Sequence, residues 1–189
     1  MAVLRLREMK KITFYLLTAL ALVLMFSCIE EQDFNQYDDL SITPTFEASI
    51  LYMEVPERTI NLVTGLNTYS QNFNFDAFAE DIFSERVLEG VLTYEVANTT
   101  SKPLQIEIQF LDEADSVLDT ERFQLDPEPT AKLQREIAYG PAGRSIDIIR
   151  NTSSITLTAS NLGDNSSTSS QSNPMVTLKS SGKFMVRIK

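Results

Sequence analysis

The stretch KPLQIEIQFLDE, residues 102–113, alternates strictly: Leu104, Ile106, Ile108 and Phe110 are apolar, while Gln105, Glu107 and Gln109 are polar. Only a strand sends successive side chains to opposite faces, so this segment reads as a half-buried β-strand. Such a strand must pair with neighbours and be covered by a second apolar layer. The segment before it, LEGVLTYEVANTT, repeats the pattern with Leu88, Gly90, Leu92, Tyr94 and Val96. ANTTSKP between the two is turn chemistry. DEADS is a second turn, VLDTERFQL a third strand, and DPEPT a further break. Short strands with turns about every 8–12 residues predict an antiparallel β-sandwich.

The rest of the chain adds elements to that sandwich. FEASILYMEV, Phe46 to Val55, is apolar on both faces and predicts a strand buried on both sides or a sheet-to-sheet contact, ended by Pro56. Phe75, Phe78, Ala79, Ile82 and Phe83 recur at helical spacing and predict a short amphipathic helix with an aromatic core face. A second short helix is expected over Ser145 to Arg150, and SITLTAS forms a strand with Ile155, Leu157 and Ala159 on one face. NLGDNSSTSSQSN, residues 161–173, has no apolar period and predicts a mobile loop. PMVTLKSSGKFMVRIK reads as a closing hairpin with Ser181-Gly182 as its turn. Lys179, Lys183, Arg187 and Lys189 would then blunt an edge strand. No internal repeat is evident.

The N-terminal end has a different grammar. Met9-Lys10-Lys11 precedes a 15-residue apolar run, Ile12 to Phe26, which is followed by Ser27 and Cys28. That is the layout of a secretory signal peptide, with translation beginning at Met9. The run is shorter than the roughly 20 apolar residues a spanning helix needs. After it comes CIEEQDFNQYDDL, with Glu30, Glu31, Asp33, Asp38 and Asp39 and no basic residue. It reads as a self-repelling, solvated tether over 28–40. Residues 41–189 form the folded domain.

The Ser27-Cys28 step after an apolar run resembles the lipobox of bacterial lipoproteins. Met25 stands where leucine is usual and Phe26 where a small residue is usual; the phenylalanine occurs in lipoproteins of the Bacteroidota type. The resemblance implies cleavage after residue 27, lipid attached to the Cys28 thiol, and residence at the outer membrane. Each buried methylene contributes about 0.8 kcal/mol, so two or three acyl chains would hold the protein there permanently. Glu30 and Glu31 resemble the acidic signal that directs such lipoproteins to the outer surface; an acidic tether by itself is equally compatible with a periplasmic location. Loss of residues 1–27 removes Arg5, Arg7, Lys10 and Lys11 from the 16 basic residues and Glu8 from the 26 acidic ones, moving the net charge from −10 to −13.

Composition narrows the chemistry. The acidic balance argues against nucleic acid as a partner, which needs a basic surface. There is no histidine, which removes the usual general base and any imidazole-dependent triad. No phosphate-binding loop, nucleophile elbow or dinucleotide motif is present. The chain reads as a non-enzyme without a cofactor. The acidic turn of Asp112, Glu113, Asp115, Asp119 and Glu121 lacks the spacing of an ordered calcium loop; it reads first as a solvated face, with no metal. Nothing in the spacing sets two of these acids across a cleft as glycoside cleavage requires. Asp115-Ser116-Val117 resembles the O-glycosylation signal of Bacteroidota envelope proteins, making Ser116 a candidate attachment site. With no tryptophan, a glycan platform would fall to Tyr52, Tyr69, Tyr94 and Tyr139, of which Tyr94 sits at a core position.

Residues 90–137 resemble the FxLYD-type and related immunoglobulin-like bacterial domains, with Asn98, Pro103, Leu104, Phe110, Asp112, Val117, Leu118 and Thr120 at the matching places. Ala114-Asp115 stands where that pattern has Asp-Gly or Asn-Gly. The resemblance implies a mainly β fold, an immunoglobulin-like antiparallel β-sandwich with one or two short helices, and no particular function. The expectation is a non-catalytic envelope lipoprotein, either a structural or protein-interaction module with an outer-membrane protein partner, or a glycan- or ligand-binding accessory of nutrient uptake.

Overall fold

The computed structural model describes residues 11, 13–20, 40–63, 67–75, 78, 80–128 and 132–188. Cys28, Glu30 and Glu31 lie outside the described residues. The chain divides into two units, Met1–Leu40 and Ser41–Lys189. In the first, residues 13–20 are helical. Among the described residues no helix is long and apolar enough to cross a membrane.

The second unit contains β1 (Thr45–Pro56), α1 (Glu57–Leu62), β2 (Thr68–Asn74), α2 (Asp81–Ser84), β3 (Val87–Asn98), β4 (Leu104–Leu111), β5 (Val117–Leu125), β6 (Leu133–Tyr139), α3 (Ile146–Asn151), β7 (Ser154–Asn161) and β8 (Met175–Val186). The strands form two four-stranded sheets of order β1-β8-β3-β6 and β2-β7-β4-β5. All pairings are antiparallel: β1 with β8, β2 with β7, β3 with β6 and β4 with β5, joined within the sheets by β3–β8 and β4–β7. The first four pairings describe one long hairpin whose tip is the β4–β5 turn. Rolling that hairpin places alternate pairs in alternate sheets, which is the jelly-roll form of the β-sandwich.

The antiparallel sandwich with short helices expected from strand and turn spacing is therefore what the chain forms. Its connectivity refines the immunoglobulin-like resemblance. Residues 90–137 supply a unit in which β3 pairs β6 in one sheet and β4 pairs β5 in the other. The immunoglobulin sandwich contains the same unit. The long-range pairs β1·β8 and β2·β7 distinguish the two arrangements, and they lie outside that stretch.

The core follows the alternation. Ile106, Ile108 and Phe110 of β4 are essentially fully buried and pack towards Leu92, Tyr94 and Val96 of β3 and Leu178 of β8. Truncating one of the buried rings costs about 3–5 kcal/mol. Tyr94 meets Phe123 of the opposite sheet at 5.5 Å between ring centres. Ser145 caps α3 by accepting from the Asp147 amide at 3.2 Å, as the short helix expected there requires.

Three expectations change. β8 runs unbroken from Met175 to Val186 between β1 and β3, so Ser181-Gly182 is no turn and the lysines of β8 lie on a central strand. Gly182 sits there for packing: a Cβ would come within 2.7 Å of Ile50 Cδ1 and Phe184 Cζ. The Phe184 ring also lies over Gly90 of the neighbouring strand. Second, the apolar run of β1 is an edge strand, with Phe46 and Tyr52 exposed and only Leu51 fully buried. Among the described residues the aromatic segment is helical at Phe78 and over α2, and Phe78 and Phe83 pack against Phe184 while Phe75 packs against Phe78. The third change concerns residues 162–174, described below.

Candidate functional site: the two seams of the sandwich

A sandwich of two open sheets has two seams where its edge strands face each other. At one, β5 faces β6 and the gap is closed by charge. Asp119 and Glu121 of β5 point inward, as do Arg135 and Tyr139 of β6. Arg135 Nη1 reaches Glu121 at 2.8 Å, and Arg144 Nη1 reaches Asp119 at 2.7 Å and also pairs with Glu121. The Tyr139 hydroxyl donates to Asp119 at 3.0 Å. Arg135 also lies over the Phe123 ring, 4.5 Å from its centre. Burial and the adjacent Asp119 carboxylate push the Tyr139 phenol well above its ordinary range. These two acids are engaged by arginines, so the arrangement is a clasp and not a pair of carboxylates free for acid–base work.

At the other seam β1 faces β2, and no such clasp forms among the described residues. The space between them is an apolar cavity of about 520 Å³, within the range of ligand pockets. Met53 and Val55 of β1, Ile60 of α1, Phe73 of β2 and Leu157 of β7 line it. Tyr69 and Gln71 share the inward face of β2 with Phe73, yet they are exposed, because β1 does not reach across to cover them. The Tyr69 hydroxyl donates to Gln71 Oε1 at 2.8 Å. Tyr52 stands at the rim on β1, 62% exposed, with Lys179 Nζ 5.7 Å from its ring centre. Of the four tyrosines considered for a ligand platform, Tyr52 and Tyr69 line this groove and Tyr94 and Tyr139 are buried.

One end of the groove is walled by α1 and the loop after β7. That loop contains the serine-rich stretch expected to be mobile, and it is pinned. Lys102, wholly buried, sends its ammonium to Asp164 Oδ1 (3.0 Å), Ser167 O (2.7 Å) and Ser167 Oγ (2.6 Å). Three donors meet three acceptors. Glu57, only 2% exposed, accepts from the Ser101 amide and hydroxyl at 2.6 Å each and from the Ser169 amide at 2.8 Å. Asn61 Nδ2 donates to Ser167 O and Asn165 Nδ2 to Val63 O, tying the loop to α1. Residue type hid this from the sequence: a lysine and a glutamate beside a turn are ordinarily solvated. The detectable signal was Lys102 placed next to Pro103 at the head of the most regular strand.

Burial pushes the Glu57 carboxyl up, but the Ser101 and Ser169 hydrogen bonds and the Lys102 charge outweigh it, leaving the group below its ordinary range. The Ser167 and Ser166 amides, with Lys102, hold Asp164 well below that range. A depressed folded pKa contributes stability that is present above the unfolded value near 4.5 and is lost as pH falls through the folded one. Denaturation midpoints are therefore expected to fall below about pH 4.5. Glu57→Gln should flatten part of that fall; an unchanged acid profile in that variant would contradict the assignment.

The acidic turn at the hairpin tip is used by its own backbone. Asp112 Oδ1 accepts from the amides of Ala114 (2.9 Å) and Ser116 (2.8 Å). Asp115 takes φ 58, the left-handed position that Asp tolerates in place of glycine. Ser116 is exposed at this tip. Among the described residues no group of three or more His, Cys, Asp or Glu is placed to hold a metal ion.

No protein-family model and no curated protein matches the chain. Solved structures match weakly. The infectious bursal disease virus VP2 subviral particle is 15% identical over 79% of this chain and 33% of that one, at a TM-score of 0.32. Bacillus endospore appendages that form disulfide-linked pili are 7% identical over 84% and 95%, at 0.35. Turnip yellow mosaic virus is 12% identical over 79% and 82%, at 0.31. This chain spans about a third of the VP2 protein it resembles, and likeness at these levels carries no function.

Proposed function

We propose that the protein is a non-catalytic lipoprotein of the outer membrane, held by lipid on Cys28. Its jelly roll acts as a structural or protein-interaction module. The observation that carries the reading is the asymmetry of the two seams: β5–β6 is clasped by arginines and acids, while β1–β2 leaves an apolar groove with exposed Tyr69 and Gln71. Apolar side chains left open beside unpaired backbone favour an extended polypeptide as partner. The acidic segment with Glu30 and Glu31 supports display on the outer surface, and Ser116 at the hairpin tip is where a glycosyltransferase would have access. The test is a photoreactive residue introduced at Tyr69 or, as control, at the exposed Glu136 on β6. Cross-linked bands from native envelopes are expected at position 69 alone. Equal labelling at both positions, or none at either, would count against the seam.

A second reading is favoured by Tyr52 and Tyr69 lining the same groove: a glycan- or ligand-binding accessory of nutrient uptake. On that reading Tyr69→Ala should weaken ligand binding about tenfold or more, because the variant can neither stack on a sugar ring nor donate a hydrogen bond to it.

A further inference from the structure

Resting on the interaction-module reading, we propose that the partner at β2 is a second copy of this chain, paired antiparallel edge to edge about a two-fold axis through Gln71. An open sheet edge is a template for pairing, and proteins blunt edges with charge, proline or bulges. Three of the four edges here are blunted. β1 carries Glu47, Glu54, Pro56 and a register irregularity between Ser49 and Leu51. β5 carries Asp119, Glu121 and Arg122, and β6 carries Arg135 and Glu136. β2, TYSQNFN, carries none of these devices, and Thr68 to Asn72 are all exposed.

Charge selects this edge for a second copy. The chain has a net charge of −10, so two copies repel wherever their acidic faces meet. β2 carries no charged residue, so pairing there sets no acid of one strand against an acid of the other. The sequence of β2 is also complementary to itself. With Gln71 on the axis, Tyr69 faces Phe73 of the second copy on the inner side, and Ser70 faces Asn72 on the outer side. Thr68 faces Asn74 at the ends. Aromatic pairs and hydroxyl–amide pairs directly opposite each other stabilise antiparallel strands, and no like charges meet. The exposed Tyr69 ring gains cover, and the two sheets join as β5-β4-β7-β2-β2-β7-β4-β5. An isologous two-fold contact of this kind closes on itself and does not propagate.

The test uses the full chain in its membrane with cysteine substitutions under mild oxidation. Directly opposed residues lie about 4.5–5.5 Å apart between Cα atoms, within disulfide reach. Gln71→Cys is expected to give a disulfide-linked dimer. Thr68→Cys is expected to give none, because its own counterpart lies about six residues, roughly 20 Å, along the strands. Ser70→Lys, on an exposed position, should cut the Gln71→Cys dimer at least tenfold with the thermal midpoint unchanged, and adding Asn72→Glu should restore it. Equal dimer from positions 68 and 71, or none from either, would overturn the pairing. Such a failure with lipid still on Cys28 leaves the anchored-module reading standing; absence of the lipid refutes the address without bearing on β2.

Discussion

Replacing Lys102 with methionine is expected to destabilise the domain by about 3 kcal/mol, the lower end of the cost of breaking a buried ion pair. The stem packs as before, but both Ser167 oxygens are left without the ammonium and the Asp164 carboxylate keeps only its bonds from Ser166 and Ser167. Asp164 is 59% exposed and re-solvates, which keeps the cost from the upper end. For a domain of this size the thermal midpoint should fall by roughly 6–12 °C. The damage is local as well as global. Residues 162–174 lose the anchor that ties them to the β3–β4 turn, so proteolysis there should quicken before the β-core opens. Denaturant titration and limited digestion check both parts. A loss under about 1 kcal/mol, the range of an exposed ion pair, would mean that Lys102 does not hold the loop.

Phe184→Ala is expected to cost about 3–5 kcal/mol, because the ring joins β8 to the segment between β2 and β3. It meets Phe78 and Phe83 at 5.2 Å each and covers Gly90 and Gly182. The glycines and the ring are one packing unit, so their substitutions should not add. Gly182→Ala alone should cost about 1–3 kcal/mol through overpacking. In a Phe184→Leu background the same change should cost measurably less, since the space is no longer filled by the ring. Strict additivity would show that Gly182 is there for some other reason.

These two sites show what was legible in the sequence. The strands β3, β4, β5 and β7 and the helix α3 were readable because each carries a complete local signal: alternation, turn chemistry or a cap. β2 was not, because TYSQNFN has one core residue, Phe73, and an edge strand needs no more. Gly182 beside Ser181 reads as a turn in one dimension; only the Phe184 ring folded over it explains glycine in mid-strand. The serine-rich loop looked mobile because its partners, Lys102 and Glu57, lie far away in sequence and belong to residue types that are seldom buried. The groove was half legible. Tyr52 and Tyr69 were named for it, but that they converge, while Tyr94 and Tyr139 do not, depends on which strands end at the sheet edges.

The account rests on Cys28. Intact mass of the protein from the membrane fraction, measured beside a Cys28→Ala variant, tests it most directly. The expected result is a mature chain beginning at Cys28 and carrying diacylglycerol and an acyl chain, with both lipid and membrane association lost in the variant. A chain that retains its N-terminal segment, or is cleaved elsewhere without lipid, would contradict the anchored module and remove the reason to look for its partner at the outer membrane.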